Sequence, residues 1–83
     1  MNKNVELLKK IEDAGNLVAR ELNVEFDGVT SDSFSHIAMF SRDGEIVFHV
    51  GYSFFMELDL TFFQVYSKMV KEFCDVLPQD KIN

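Results

Sequence analysis

The fold of this chain is decided by residues 34–52, which read FSHIAMFSRDGEIVFHVGY. Apolar residues recur at every second position over 34–41 and again over 45–52, and this period is typical of β-strands with one buried face. Between the two segments lies Asp43-Gly44, a dipeptide that favours tight hairpin turns. The stretch therefore predicts an antiparallel hairpin with strands at 34–41 and 45–52.

The length of the connecting loop sets the register of this hairpin and the face of each side chain. A two-residue turn at Asp43-Gly44 pairs Phe40 with Val47, whereas a three-residue loop with a left-handed Gly44 pairs Phe40 with Ile46. The three-residue loop separates apolar from polar residues better. We therefore expect that loop, with a shared face formed by Phe34, His36, Ala38, Phe40, Ile46, Phe48, Val50 and Tyr52.

The sequence on either side of the hairpin extends the predicted sheet. Residues 24–29 alternate weakly and predict a short first strand with Glu25 and Asp27 facing outward. After Tyr52 the alternation continues for longer than one strand usually lasts. We expect a bend near residues 51–53 and a possible fourth strand at 54–60, which would place Glu57 and Asp59 on outward positions.

Two amphipathic helices flank the strands. Residues 5–22 carry apolar side chains at helical spacing, with Asn2 or Asn4 as the capping residue. Thr61-Phe62-Phe63-Gln64 matches a capping box and opens a helix at 62–77, which Pro78 ends. The order α-β-β-β-(β)-α predicts an α+β fold in a single domain spanning 1–83. Its expected form is an antiparallel meander of three to four strands, with the N-terminal and C-terminal helices on one face.

The composition excludes several classes of protein. The chain has 83 residues and a net charge of −6, which argues against direct binding to nucleic acids or to anionic membranes. No apolar run approaches the roughly 18 residues of a membrane span, and no apolar leader follows Met1. With a lone cysteine, these features predict a cytoplasmic protein.

No arrangement typical of catalysis or metal binding is present. His36 and His49 fall on opposite faces of the predicted hairpin, so they cannot share a metal; His36 is expected in the core and His49 on the surface. Cys74 has no partner at metal-ligand spacing. The serines before His36 lack the sequence context of a nucleophile elbow, and no phosphate-binding loop exists. The sequence thus predicts a non-enzymatic protein without metal or cofactor.

Acidic residues are concentrated between the two helices. Residues 21–67 contain eight acids and one base, Arg42, whereas the rest of the chain contains six acids and seven bases. Such a field attracts basic partners, although charges on a sheet can also serve solubility alone. The residues expected to bind a basic protein surface are Glu25, Asp27, Asp32, Glu57 and Asp59.

The second helix carries more apolar surface than is needed to cover a sheet. One flank, formed by Phe63, Tyr66, Val70, Cys74 and Leu77, can either pack against the first helix or serve as an interface. Because a core of this size supplies little stability without help, we expect a homodimer that uses this flank.

Two functions are consistent with these features. The first is an acidic protein-binding module or inhibitor whose sheet docks on a basic partner, with a DNA mimic as the extreme form. The second is a chaperone-like or structural homodimer that binds through apolar patches. In architecture the chain is similar to small acidic α+β proteins of phages and mobile elements, which occupy basic sites of host proteins. It also resembles part of a type III secretion chaperone, an acidic homodimer, but lacks the later strands of that family.

Overall fold

Within its described residues, the chain folds into two helices and a three-stranded antiparallel sheet with strand order β1-β2-β3. The computed structural model describes residues 2–76. The elements are α1 (Lys3–Leu22), β1 (Glu25–Ser31), β2 (Ser35–Arg42), β3 (Glu45–Ser53) and α2 (Phe62–Val76). Both helices pack on the sheet, which confirms the predicted α+β architecture.

Side-chain caps set the helix boundaries. α1 starts at Lys3, before the predicted residue 5, because the Asn2 side chain accepts a hydrogen bond from the Asn4 N–H at 2.9 Å. The capping box of α2 is confirmed, since Gln64 N–H donates to Thr61 Oγ1 at 3.2 Å and Thr61 N–H donates to Gln64 Oε1 at 2.8 Å. Each bond satisfies a donor that a helix start would otherwise leave unpaired.

The hairpin between β2 and β3 has a different register from the one predicted. Arg42 pairs with Glu45 around a two-residue turn, in which Asp43 and Gly44 have φ angles of 54° and 82°. Residues with positive φ at both turn positions match the twist of a hairpin, and Gly44 adopts that conformation without a steric cost. The expected three-residue loop is therefore wrong.

A bulge in β3 then restores the buried face. Phe40 pairs with Phe48 rather than with Ile46 or Val47, because one extra residue enters β3 after the Ser41–Ile46 pair. The Phe40 and Phe48 rings stack with centroids 4.5 Å apart on the helix-covered face, while Ile46 is 63% exposed. Ile46 therefore does not belong to the shared apolar face.

Residues 54–60 form turns instead of a fourth strand. Phe54 N–H still donates to Phe34 O at 2.9 Å, but Phe34 belongs to the β1–β2 turn, which leaves no extended strand for residues 55–60 to pair with. Ser53 Oγ then accepts from Phe55 N–H at 3.0 Å and the Glu57 carboxylate accepts from Ser53 N–H at 2.9 Å. These local bonds turn the chain in a segment whose alternating pattern is otherwise that of a strand.

The core lies between the sheet and the two helices. Tyr52 is fully buried there, and its hydroxyl donates to Val65 O at 2.7 Å. Burial raises the pKa of Tyr52. The buried apolar residues of the core are Leu7, Ile11, Ala14, Val18, Val24, Ala38, Phe40, Phe48, Val50, Tyr52, Val65 and Met69.

Candidate protein-binding surfaces

Four exposed carboxylates lie on the half of the sheet that carries the β2–β3 turn, and we name this region the acidic end: Glu25, Asp27, Asp43 and Glu45. Glu25 lies opposite Ser41 across the β1–β2 ladder, and Glu45 lies opposite Arg42 across the β2–β3 ladder. Glu25 and Asp43 also line the same open pocket of about 320 Å³. Strand pairing thus unites acids that are up to twenty positions apart in sequence.

The backbone at the acidic end is set by two irregularities. Asp43 occupies the left-handed turn position described above. Asp27 lies in a β-bulge of β1, next to Gly28 with φ of 97°. A bulge with a left-handed glycine distorts the free edge of β1 and hinders the addition of another strand there. Glu25 and Asp27 therefore project from an edge that is unsuited to strand pairing.

Arg42, the single base of residues 21–67, is committed to the fold. Its Nε donates to Asn23 O at 3.2 Å and its Nη2 donates to Leu22 O at 3.1 Å. These carbonyls end α1, where the helix dipole favours a cation. Within residues 2–76, no lysine, arginine or histidine nitrogen lies within 4.0 Å of the four acidic-end carboxylates.

Two of the acids predicted to bind a partner are instead neutralised within the chain. Glu57 pairs with Lys68 at 2.7 Å and is only 23% exposed, while Asp59 pairs with Lys3 at 2.6 Å. The hydrogen bond from Lys3 lowers the pKa of Asp59. Both therefore have a basic neighbour and neither lies on a strand, because residues 54–60 turn towards the helices instead of extending the sheet.

Asp32 has a structural part in the β1–β2 turn. Its carboxylate accepts from Phe34 N–H at 2.7 Å and from Ser35 N–H at 2.8 Å. These bonds, with that from Phe34 the largest cause, lower the pKa of Asp32. Asp32 is exposed but lies at the end of the sheet opposite to the acidic end.

The apolar flank predicted on α2 is covered only in part by the rest of the chain. Tyr66 and Val70 pack against the core, and the Tyr66 hydroxyl donates to the Glu21 carboxylate of α1. Phe63 and Cys74 remain exposed, and Leu77 lies outside the described residues. Packing against α1, the other outcome that the sequence allows for this flank, therefore accounts for Tyr66.

A different apolar surface is exposed at the end of the sheet opposite to the acidic end. We name it the aromatic tip: Phe34, Phe55 and Met56, which are 66%, 74% and 86% exposed. The rings of Phe34 and Phe55 lie 6.2 Å apart. The alternating pattern predicts Phe34 on the buried face and Met56 in a strand, and it carries no signal that both segments turn outward.

His36 is buried in a polar network between α1 and the sheet, as expected, and His49 is exposed. Ser31 Oγ lies 2.6 Å from His36 Nδ1, and Asn4 Oδ1 bonds to Nε2. A serine, a histidine and an amide in this order resemble a hydrolytic triad. However, the Phe34 and Ser35 amides nearby donate to Asp32, and the ring of Phe54 packs 4.7 Å from His36. The network anchors α1 to β1 and β2, and this structural role explains it.

The described part of the chain offers little else that could hold a ligand. Among residues 2–76, no three histidine, cysteine or acidic side chains are grouped closely enough to hold a metal ion. No helix in that range has the length and apolarity to cross a membrane. Comparison of the chain with protein-family models, curated proteins and solved structures finds no significant match.

Proposed function

We propose that this chain is a non-enzymatic protein-binding module that docks its acidic end on the basic surface of another protein. Binding in this way would cover the partner's basic site, as an inhibitor does. The proposal rests on one observation, the gathering of four carboxylates without a basic partner at one end of the sheet.

The pattern of ion pairs elsewhere strengthens this inference. Each of the four ion pairs in residues 2–76 lies outside the acidic end: Lys3–Asp59, Lys9–Asp13, Lys68–Glu57 and Lys71–Asp75. Because Arg42 is, among the described residues, the single base beside these four acids, the acidic end keeps a net negative field, which attracts an oppositely charged surface and speeds its association.

The positions of the acids favour specific recognition over mere solubility. Glu25 and Glu45 belong to paired strands, and Asp43 occupies a two-residue turn, so their backbones are held by the sheet. A partner would therefore meet carboxylates at set spacings, with little ordering cost on binding. Asp32, Glu57 and Asp59 are left out of the proposed surface because their carboxylates are engaged within the chain.

Two variants with equal charge test the proposal. The first removes three acidic-end charges through Glu25→Gln, Asp27→Asn and Asp43→Asn; asparagine tolerates the left-handed conformation at position 43. The control removes three exposed charges from α1 through Glu6→Gln, Glu12→Gln and Asp13→Asn. Exposed changes of this kind alter stability by less than about 0.5 kcal/mol each, so both variants should fold.

The assay is capture of proteins from an extract of the native host by each immobilised variant, quantified by mass spectrometry at about 50 mM and about 300 mM salt. We expect the wild type and the control to retain the same basic proteins at low salt, and the acidic-end variant to lose them. Retention by the acidic-end variant, or equal loss from both variants, would contradict the proposal.

A further inference from the structure

The aromatic tip is built from two segments that are distant in sequence. Phe34 lies in the β1–β2 turn, and Phe55 and Met56 lie in the connection from β3 to α2. The bond from Phe54 N–H to Phe34 O joins the two segments, so that Phe34 and Phe55 become neighbours. Exposed aromatic side chains held side by side are typical of the centres of protein interfaces.

Hydrogen bonds hold the backbone on both sides of the tip. Asp32 binds the N–H groups of Phe34 and Ser35, and Ser53 Oγ binds the N–H of Phe55. Beneath the tip, the Phe54 ring packs edge-on against the buried His36. The rings are therefore presented to solvent by an ordered support, which lowers the entropy cost of binding through them.

The exposed area is sufficient for a weak but specific interface between two copies. From the exposed fractions of its side chains, the tip leaves roughly 400–500 Å² of mostly apolar surface open to water. Two tips packed together would bury at most about 800–1,000 Å², which is in the range of weak, transient interfaces.

The charges near the tip favour a second copy of the chain as the occupant. Two copies with a net charge of −6 each repel one another at their acidic ends. Near the tip the charges almost cancel, because the lysines of this region are matched by nearby acids. The lysines are Lys3, Lys10 and Lys68, and the acids are Glu6, Asp32, Glu57 and Asp59.

We propose that the chain forms a symmetric homodimer through the aromatic tip, with Phe34, Phe55 and Met56 of each copy packed against those of the other. Residues Ser35 and Arg42 bound β2, so the tip and the acidic end lie about 24 Å apart along the strand. A tip-to-tip dimer keeps the two acidic ends far from each other and, if the proposed function holds, leaves both free to bind partners.

Sedimentation velocity of the full chain from about 5 to about 300 µM tests the dimer, because this range covers the micromolar affinities of weak interfaces. The tip variant Phe34→Ser with Phe55→Ser is compared with the control Phe63→Ser with Ile46→Ser, whose side chains are 71% and 63% exposed elsewhere. We expect the tip variant to raise the dimer dissociation constant at least about tenfold, and the control to leave it within about twofold. Thermal unfolding verifies that both variants fold.

Oxidative cross-linking gives a second measurement that does not depend on apolar area. Met56→Cys in a Cys74→Ser background should form a disulfide-linked dimer, whereas the native Cys74, on α2 and exposed, should not. A wild type that stays monomeric at about 300 µM overturns the proposal. It is equally overturned if the control variant rather than the tip variant dissociates, or if Cys74 cross-links as readily as position 56.

Discussion

Replacing Lys68 with methionine should destabilise the fold far more than the same change three residues later in α2. The Lys68 ammonium donates to Gly51 O at 2.6 Å and to both Glu57 carboxylate oxygens at 2.9 and 2.7 Å. It also lies 4.8 Å from the centre of the Tyr52 ring. Lys68 thus joins α2 to β3 and to the connection that carries Phe55 and Met56.

The size of the stability loss expected for Lys68→Met follows from the partial burial of these contacts. Lys68 and Glu57 side chains are 38% and 23% exposed, so solvent screens their interaction less than that of a surface pair. A hydrogen bond to a charged group contributes about 1.5–3 kcal/mol. Methionine keeps the packing of the lysine stem, and Glu57 still accepts from Ser53 N–H. We therefore expect a loss at the lower end of this range, about 1.5 kcal/mol in the free energy of unfolding.

Lys71→Met is the matched control. Lys71 pairs with Asp75 at 3.3 Å, but its side chain is 78% exposed, and a helical pair of this kind contributes about 0.3–0.5 kcal/mol. Urea unfolding measures the free energy of unfolding of both variants. In thermal melts, a fall in melting temperature of about 6–12 °C is expected only for Lys68→Met. Equal losses of stability in the two variants would falsify the assignment of Lys68 as a structural link.

Three further predictions concern single side chains. Thr61→Ala should lower the free energy of unfolding by about 1 kcal/mol, because the Gln64 N–H loses its cap; a urea titration measures this, and an unchanged midpoint would contradict it. Tyr52→Phe should cost about 1 kcal/mol at neutral pH by removing the bond to Val65 O. Burial raises the Tyr52 pKa, so the wild-type protein should keep its full stability below the pKa of the unfolded tyrosine, near 10. Above that pH its stability should fall more steeply than the stability of Tyr52→Phe, which thermal melts across that range measure. Asp32→Ala should destabilise the chain at pH 7 but less at acidic pH. Because the Asp32 pKa is lowered in the folded state, its contribution to stability is present above the pKa of the unfolded state, near 3.8, and is lost as pH falls through the pKa of the folded state. A destabilisation that stays constant between neutral and acidic pH would count against this role.

The amino-acid sequence by itself determined the order of elements and most of their boundaries. Period-two alternation, the Asp43-Gly44 turn and the Thr61–Gln64 capping box are local signals, and each depends on residues close together in the chain. α1, the three strands and α2 therefore lie within two residues of their predicted limits, within the described range. The excess of acid between the helices is also visible in composition alone.

The tertiary structure decided the hairpin register, the absence of a fourth strand and the composition of both candidate surfaces. The bulge at Val47 exists because burying Phe48 opposite Phe40 outweighs regular pairing, and that gain depends on helices packed from elsewhere in the chain. Residues 54–60 have the pattern of a strand but bond to the sheet end only through Phe54 N–H and Phe34 O, and Glu57 and Asp59 turn towards lysines of α2 and α1. A charge is neutralised or free, and an aromatic ring buried or exposed, according to what lies next to it in space, and local sequence does not encode those long-range neighbours.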